Sequence, residues 1–409
     1  MWLTIHCILK SSKTEYLVEN YFAIVNTNLI VYDKLIQFQG LLMLRLSFSM
    51  LVFVLCFSVS AVTYTDNEIS NIINSDNGEV STQNFVRGFF VANDPAKYVD
   101  AFIHDKNLTS SILLKEYQLN ILLNEVSYQP KQLFLQNFID KMKQYQSQAF
   151  KTHPEGRMEV PVYNIQARAL GIENIWSATE ALYFYSHSFN KDPIRAISQL
   201  RKELSLLTAP QWLGLKNSIN DISAENHLKL QDYLLDDVEH LLGLDKFVSH
   251  YALLTANKDL VSLGLLHLDK SSGEFLLRNL SDYFAADFVT KQLIQSVAHK
   301  KNQVFAISMM QAYLDQQDDI KDSLFQYLKD SHLSSNAAFV LSTTRDKNTI
   351  IRLQNSYIDS QSEMEKKQII FALKMNKLNE STAILNRLTS NKPNDETNKW
   401  LRSFKGELK

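Results

Sequence analysis

The sequence predicts an all-α protein, and three observations predict it. Glycine and proline are scarce, at 10 and 7 in 409 residues, against an average usage of about 7% and 5%. Both break regular structure, glycine through backbone entropy and proline through its missing N–H. A chain this poor in them lacks the turn signals that a sandwich or barrel needs about every 8 to 12 residues. Second, apolar residues recur at spacings of three and four, the mark of an amphipathic helix. Third, in the second half the pattern of apolar helix, polar turn and apolar helix repeats.

The chain opens on residues 1–42, expected to be an upstream artefact of gene calling or a disordered tail. Residues 43–66, "MLRLSFSMLVFVLCFSVSAVTYTD", then carry the parts of an export leader. Arg45 is the basic start, residues 50–57 the apolar core, and Val59-Ser60-Ala61 the small-residue cut site. No Lys or Arg follows until Arg87, so charge is basic before the apolar stretch and acidic after it, as export requires. The expectation is a signal peptide over 43–61, cleaved after Ala61, and a periplasmic or secreted product. A competing reading keeps 46–62 as an uncleaved membrane anchor, although that run is short of the roughly 20 residues a span needs.

Both cysteines, Cys7 and Cys56, precede the cut. The mature chain of about 348 residues therefore has no thiol for a disulfide, a metal site or a nucleophile. Stability must come from burial, for which 45% hydrophobic residues suffice. The net charge is −2 with signs interspersed, which excludes the basic stripe that nucleic acid demands.

Residues 62–92 read as a flexible lead-in and 93–243 as a helical N-terminal domain. Asp94-Pro95 and Asp192-Pro193 pair a capping carboxylate with a preset first helical residue. "SSILLKEYQLNILLNEV" puts Ile112, Leu113, Tyr117, Ile121 and Leu122 on one side. "KQLFLQNFIDKMKQY" does the same with Leu133, Leu135, Phe138, Ile139 and Met142. Residues 152–176 hold two prolines, two glycines and a strand-like run at 160–165, which predicts a loop or short hairpin interrupting the helices.

A boundary near Gly243 opens the last domain, 244–409. Its turns end in "NLSD", "YLKD" and "SYID", placing Asp282, Asp330 and Asp359 at intervals of 48 and 29 residues, with Ser390 31 further on. The longer interval admits an extra helix, "DFVTKQLIQSVAHKK". Such periods predict an α-solenoid of antiparallel helix pairs, each covering its neighbour's apolar face. With Ala306, Ala338 and Ala372 in the first helix of each pair, residues 250–392 resemble the HEAT-like repeat families. The resemblance implies a helical array with a concave face and implies no activity.

Chemistry leaves few marks. The chain lacks G-x-S-x-G, G-x-x-x-x-G-K-[ST], H-E-x-x-H and G-x-G-x-x-G. His153, His187, His227, His240, His250, His267 and His299 show no metal-ligand spacing, so no metal and no cofactor is expected. His153, Glu155, Arg157 and Glu159 gather in "HPEGRMEV", the first place to look for ligand or partner contact. Tyr185 joins them from "EALYFYSHSF", whose aromatics could grip a peptide or sugar, although core filling is the plainer reading. Asn107-Leu108-Thr109 and Asn279-Leu280-Ser281 fit the glycosylation triplet.

The function expected is an exported helical-repeat protein that binds another protein or peptide, with no nucleic acid and no membrane partner beyond the export signal. The alternative is an all-helical envelope hydrolase acting on peptide or glycan. It requires two or more of His153, Glu155, Glu239, His240 and His250 to converge in a cleft.

Overall fold

The computed structural model describes residues 62–105, 111–156 and 158–390. The leader at 43–61, the segment 1–42, Arg157 and Asn107-Leu108-Thr109 lie outside the described residues. The fold is all-helical with one small three-stranded sheet. It divides into two compact units, one ending at Leu170 and the other beginning at Gly171. Among the described residues no helix is long and apolar enough to cross a membrane.

The first unit contains β1 (Val62–Thr63), α1 (Asp66–Ile73), α2 (Asp76–Val91), α3 (Pro95–His104), α4 (Ile112–Ser127) and α5 (Leu133–Met142). β2 (Ala149–Thr152) and β3 (Glu159–Pro161) follow, and then α6 (Ile165–Lys191) begins. Local chemistry sets the helix starts. Thr65 and Glu68 form a reciprocal capping box ahead of α1. Asp94 accepts from Lys97 N–H with Pro95 in the first turn of α3, as the dipeptide predicts. Ser111 caps α4 through Leu114 N–H. The core closes around Phe85, Phe89, Leu119, Leu122, Phe138 and Ile139, all buried. Burying one such side chain fully contributes about 2 to 3 kcal/mol.

Several expectations are corrected here. Residues 62–92 are not a loose lead-in. They form β1, α1 and α2, because Phe85 and Phe89 recur four apart and both enter the core. Leu133 is 80% exposed, since it is the first residue of α5 and lies off the Leu135, Phe138, Ile139 and Met142 stripe. In α4, Ile112, Tyr117 and Ile121 are only partly buried, and the fully buried stripe runs through Leu113, Glu116, Leu119, Leu123 and Val126. The strand-like run 160–165 contributes β3 alone. From Ile165 the chain is helical, because Ile165, Ala169, Ile172 and Trp176 recur at helical spacing and are all buried. Gly171 costs that helix about 1 kcal/mol at most, too little to break it.

The second unit takes the rest of α6 and then α7 (Pro193–Glu203), α8 (Ala209–Ser218), α9 (Ala224–Asp236), α10 (Asp245–Leu254) and α11 (Lys258–His267). It continues through α12 (Lys270–Tyr283), α13 (Ala286–Val297), α14 (Gln303–Met309) and α15 (Asp318–Tyr327). α16 (Ser334–Leu341), α17 (Lys347–Asp359), α18 (Glu363–Met375) and α19 (Asn379–Ser390) complete it. α13 is the extra helix of the longer interval. One buried cluster extends from Ala181 to Ile384 and includes Leu241 and Leu244. The core is therefore continuous past Gly243, where the sequence suggests a boundary. That glycine instead takes φ +74° in the turn before α10.

Packing in this unit is ordered by chain position. Each of α10 to α13 touches the next helix in sequence, as do α15, α17 and α18. Helices two apart also touch: α8 with α10, α10 with α12, α12 with α14, α14 with α16, and α16 with α18. The same holds for α7 with α9, α9 with α11, α11 with α13, α13 with α15, and α17 with α19. Ala306, Ala338 and Ala372 are fully buried on α14, α16 and α18, three helices that touch in succession.

Polar links recur at about the same sequence separation. Asp245 Oδ1 accepts from Asp269 N–H, 24 residues on (2.8 Å). Lys301 Nζ donates to the Leu268 carbonyl, 33 residues back (3.3 Å). Asp315 accepts from Thr344 Oγ1 (2.5 Å) and Arg345 N–H (3.0 Å), 29 and 30 residues on. Asn376 Nδ2 donates to the Ser342 and Thr344 carbonyls, 34 and 32 residues back, at 2.9 Å each.

Candidate functional site

The loop at 153–158 is a tight hairpin tip. His153 N–H donates to the Met158 carbonyl (2.8 Å) and Gly156 N–H to the His153 carbonyl (2.7 Å). Gly156 sits at φ +77°, a conformation glycine adopts without strain. Glu155 N–H donates to His153 Nδ1 at 3.3 Å. Glu159 accepts from Thr63 Oγ1 at 2.6 Å and so ties β3 to β1. Among the described residues, His153 Nδ1 meets the Glu155 N–H and no side chain.

Tyr185 is corrected as a contact residue. It is buried in the second unit, edge-on to Phe184 and tilted against Phe189. Burial, assisted by the Glu203 charge, pushes its hydroxyl up to about 12. Tyr183 and Phe184 are the exposed members of that aromatic run.

His227, His240 and His250 pack against aromatic rings. His240 stacks on Tyr233 with ring centroids 3.8 Å apart, and its Nδ1 lies 2.6 Å from the Tyr233 carbonyl. His250 stacks on Phe275 and meets Trp212 edge-on. Its Nδ1 is 2.8 Å from the Lys246 carbonyl. A carbonyl only accepts, so these two nitrogens carry the proton. His227 Nδ1 lies 2.9 Å from the Tyr251 hydroxyl. Burial lowers His227, and burial with the nearby Lys216 and Lys246 charges lowers His250. Glu239 is exposed, and neither His240 nor His250 is bonded to it. Among the described residues no group of three His, Cys, Asp or Glu could hold a metal ion.

A different feature has the form of a binding site. Between α11 and α13 runs a cleft of about 670 Å³, within the usual size of ligand pockets. Helical periodicity builds it. Lys258, Ser262 and Leu266 stand four apart along α11. Phe288, Gln292 and Ser296 form one stripe of α13, and Lys291, Gln295 and His299 the stripe beside it. The α11 helix is started by Asn257, whose side chain accepts from Leu260 N–H at 2.9 Å. Lys258 Nζ lies 5.5 Å from the Phe288 ring centre, close enough for a cation–π attraction.

The walls contain buried polar groups. Gln292 is 3% exposed and Ser296 1%. Ser296 Oγ has no hydrogen-bond partner, an omission that costs about 1 to 3 kcal/mol. Lys258 and Lys291 are exposed, with no ion-pair partner among the described residues. The cleft's lining combines apolar Leu265, Leu266 and Phe288, the cations Lys258 and Lys291, and the polar Gln292 and Ser296.

The sequence reading named only His299 from this cleft. The missed signal was Gln292 and Ser296, two polar residues four apart beside the Val289, Leu293 and Val297 stripe of α13. No family model matches the chain, and no curated protein or solved structure is similar to it.

Proposed function

We propose that residues 171–390 form an α-solenoid of HEAT-like helix pairs, and that the protein is exported and binds another protein or peptide through the concave face of that array. The observation that carries the reading is the order of packing. From α10 on, most helices touch the next or the one after it, and polar links join positions 24 to 34 residues apart. One helix pair cannot cover its own apolar face, and its successors do so. Binding rather than chemistry is favoured by the mixed apolar, cationic and polar lining of the α11–α13 cleft and by the structural engagement of His240 and His250. Export is favoured by the residue order at 43–61: basic start, apolar core and small-residue cut.

The test is performed on the protein in its native cells. Mass spectrometry of the N-terminus is expected to find Val62 first. Cross-linking is expected to join a partner protein to residues 171–390 more often than in an unrelated exported control. A chain that retains residues 43–61 sinks the cleaved leader, and cross-links no more frequent than the control sink the binding role.

A further inference from the structure

We propose that the α11–α13 cleft takes an acidic peptide segment carrying an apolar anchor, an inference that rests on the peptide-binding reading above. Charge is the first argument. Lys258 comes from α11 and Lys291 from α13, and His299 follows Lys291 and Gln295 at spacings of four. The one acidic lining residue, Asp259, leaves an excess of positive charge. Both lysines are exposed and have no carboxylate partner among the described residues, so neither charge is neutralised by an ion pair, and Lys258 meets only the Phe288 ring.

Shape and polarity are the second argument. Leu266 and Phe288 offer an apolar surface, partly open to solvent. A Leu or Phe side chain of the ligand would bury itself there. Ser296, almost fully buried and with its hydroxyl unpartnered, sits in the wall beside Gln292. A peptide backbone supplies both a donor and an acceptor for such groups along its length. Nucleic acid fits less well, because two lysines with an aspartate between them do not make the basic track a phosphate backbone needs.

The proposal is tested with the leader-processed full chain on an array of 12-residue peptides of varied composition. The variant is the double charge reversal Lys258→Glu with Lys291→Glu, both at exposed positions, with circular dichroism melting as the folding control. The retained peptides are expected to be enriched in Asp and Glu flanking Leu or Phe. Charge reversal is expected to weaken the retained acidic peptides by about tenfold or more and to turn selection toward Lys and Arg. Raising the salt concentration weakens the parent protein's binding in the same direction. Ser296→Ala is expected to cost a further few-fold without changing the charge preference.

Retention of peptides with no acidic preference overturns the proposal, as does equal retention by the charge-reversed protein. In either case the peptide-binding reading stands and only the cleft assignment falls. Equal or tighter binding of a mixed-sequence oligonucleotide also overturns it. If no peptide is retained at any position, the peptide-binding reading falls with it.

Discussion

The first compact unit shifts a buried carboxyl, and the second shifts two half-buried imidazoles. In the first unit Glu116 on α4 is fully buried. Its Oε1 accepts from Gln148 N–H (2.5 Å), Ala149 N–H (3.4 Å) and the Tyr145 hydroxyl (3.4 Å), while Oε2 has no partner. These bonds hold the entry to β2, the strand that pairs in parallel with β1 and antiparallel with β3. Burial raises the Glu116 carboxyl above the usual range, although the three hydrogen bonds pull the other way. In the second unit His227 and His250 are pressed against aromatic rings and held below the usual imidazole range.

The comparison teaches that Glu116 and the two histidines answer acid in opposite directions. Folded Glu116 holds its proton more tightly than the unfolded chain does. Its stability contribution is complete below the ordinary carboxylate pKa and is lost as pH rises through the raised value. For His227 and His250 the unfolded chain takes up the proton first. Their contribution is complete above the ordinary imidazole pKa and is lost as pH falls through the depressed value.

The largest expected effect breaks one unit and spares the other. Phe89→Ala removes a fully buried ring from the α2 core and is expected to cost about 3 to 5 kcal/mol. Native-state hydrogen exchange should show lost protection within 62–170; equal loss across 171–390 would contradict two separate units. Next, Asn376→Ala strips the Ser342 and Thr344 carbonyls of their donor. It is expected to cost about 1 to 3 kcal/mol, read as a lower denaturant midpoint for the second unit alone.

The pH comparison is sharpened by two substitutions. Glu116→Gln is expected to flatten the decline of first-unit stability as pH rises above the ordinary carboxylate range. His250→Phe, which keeps a ring against Phe275, is expected to reduce the second unit's loss as pH falls below the ordinary imidazole range. Chemical denaturation followed at several pH values checks both, and unchanged slopes would refute the assignment. The smallest effect is expected from Arg352→Ala. Its bond to Asp322 (2.5 Å) joins two exposed side chains, so the loss should stay below about 1 kcal/mol in the same denaturation curve.

Much of this fold is written in short range. Asp94-Pro95 and Asp192-Pro193 cap helices where the dipeptides stand, since a cap needs only the next three N–H groups. The Phe138, Ile139 and Met142 stripe is readable for the same reason. The candidate site was harder to read. "HPEGRMEV" drew attention by gathering charges, yet Glu159 is taken up by Thr63, 96 residues earlier in the chain. Lys258 and Lys291 line one cleft that no spacing along either helix announces.

By itself, the sequence determined the helical class and the starts of helices such as α3 and α7, because caps, propensities and apolar spacing act within a few residues. Only tertiary structure decided that Val62 pairs with Ala149, that Glu116 is buried, and that α11 and α13 leave a cleft between them. Those outcomes depend on contacts between distant segments. Such contacts form only when their combined burial and hydrogen bonding outweigh the entropy of closing the intervening chain, a balance that no single stretch of residues contains.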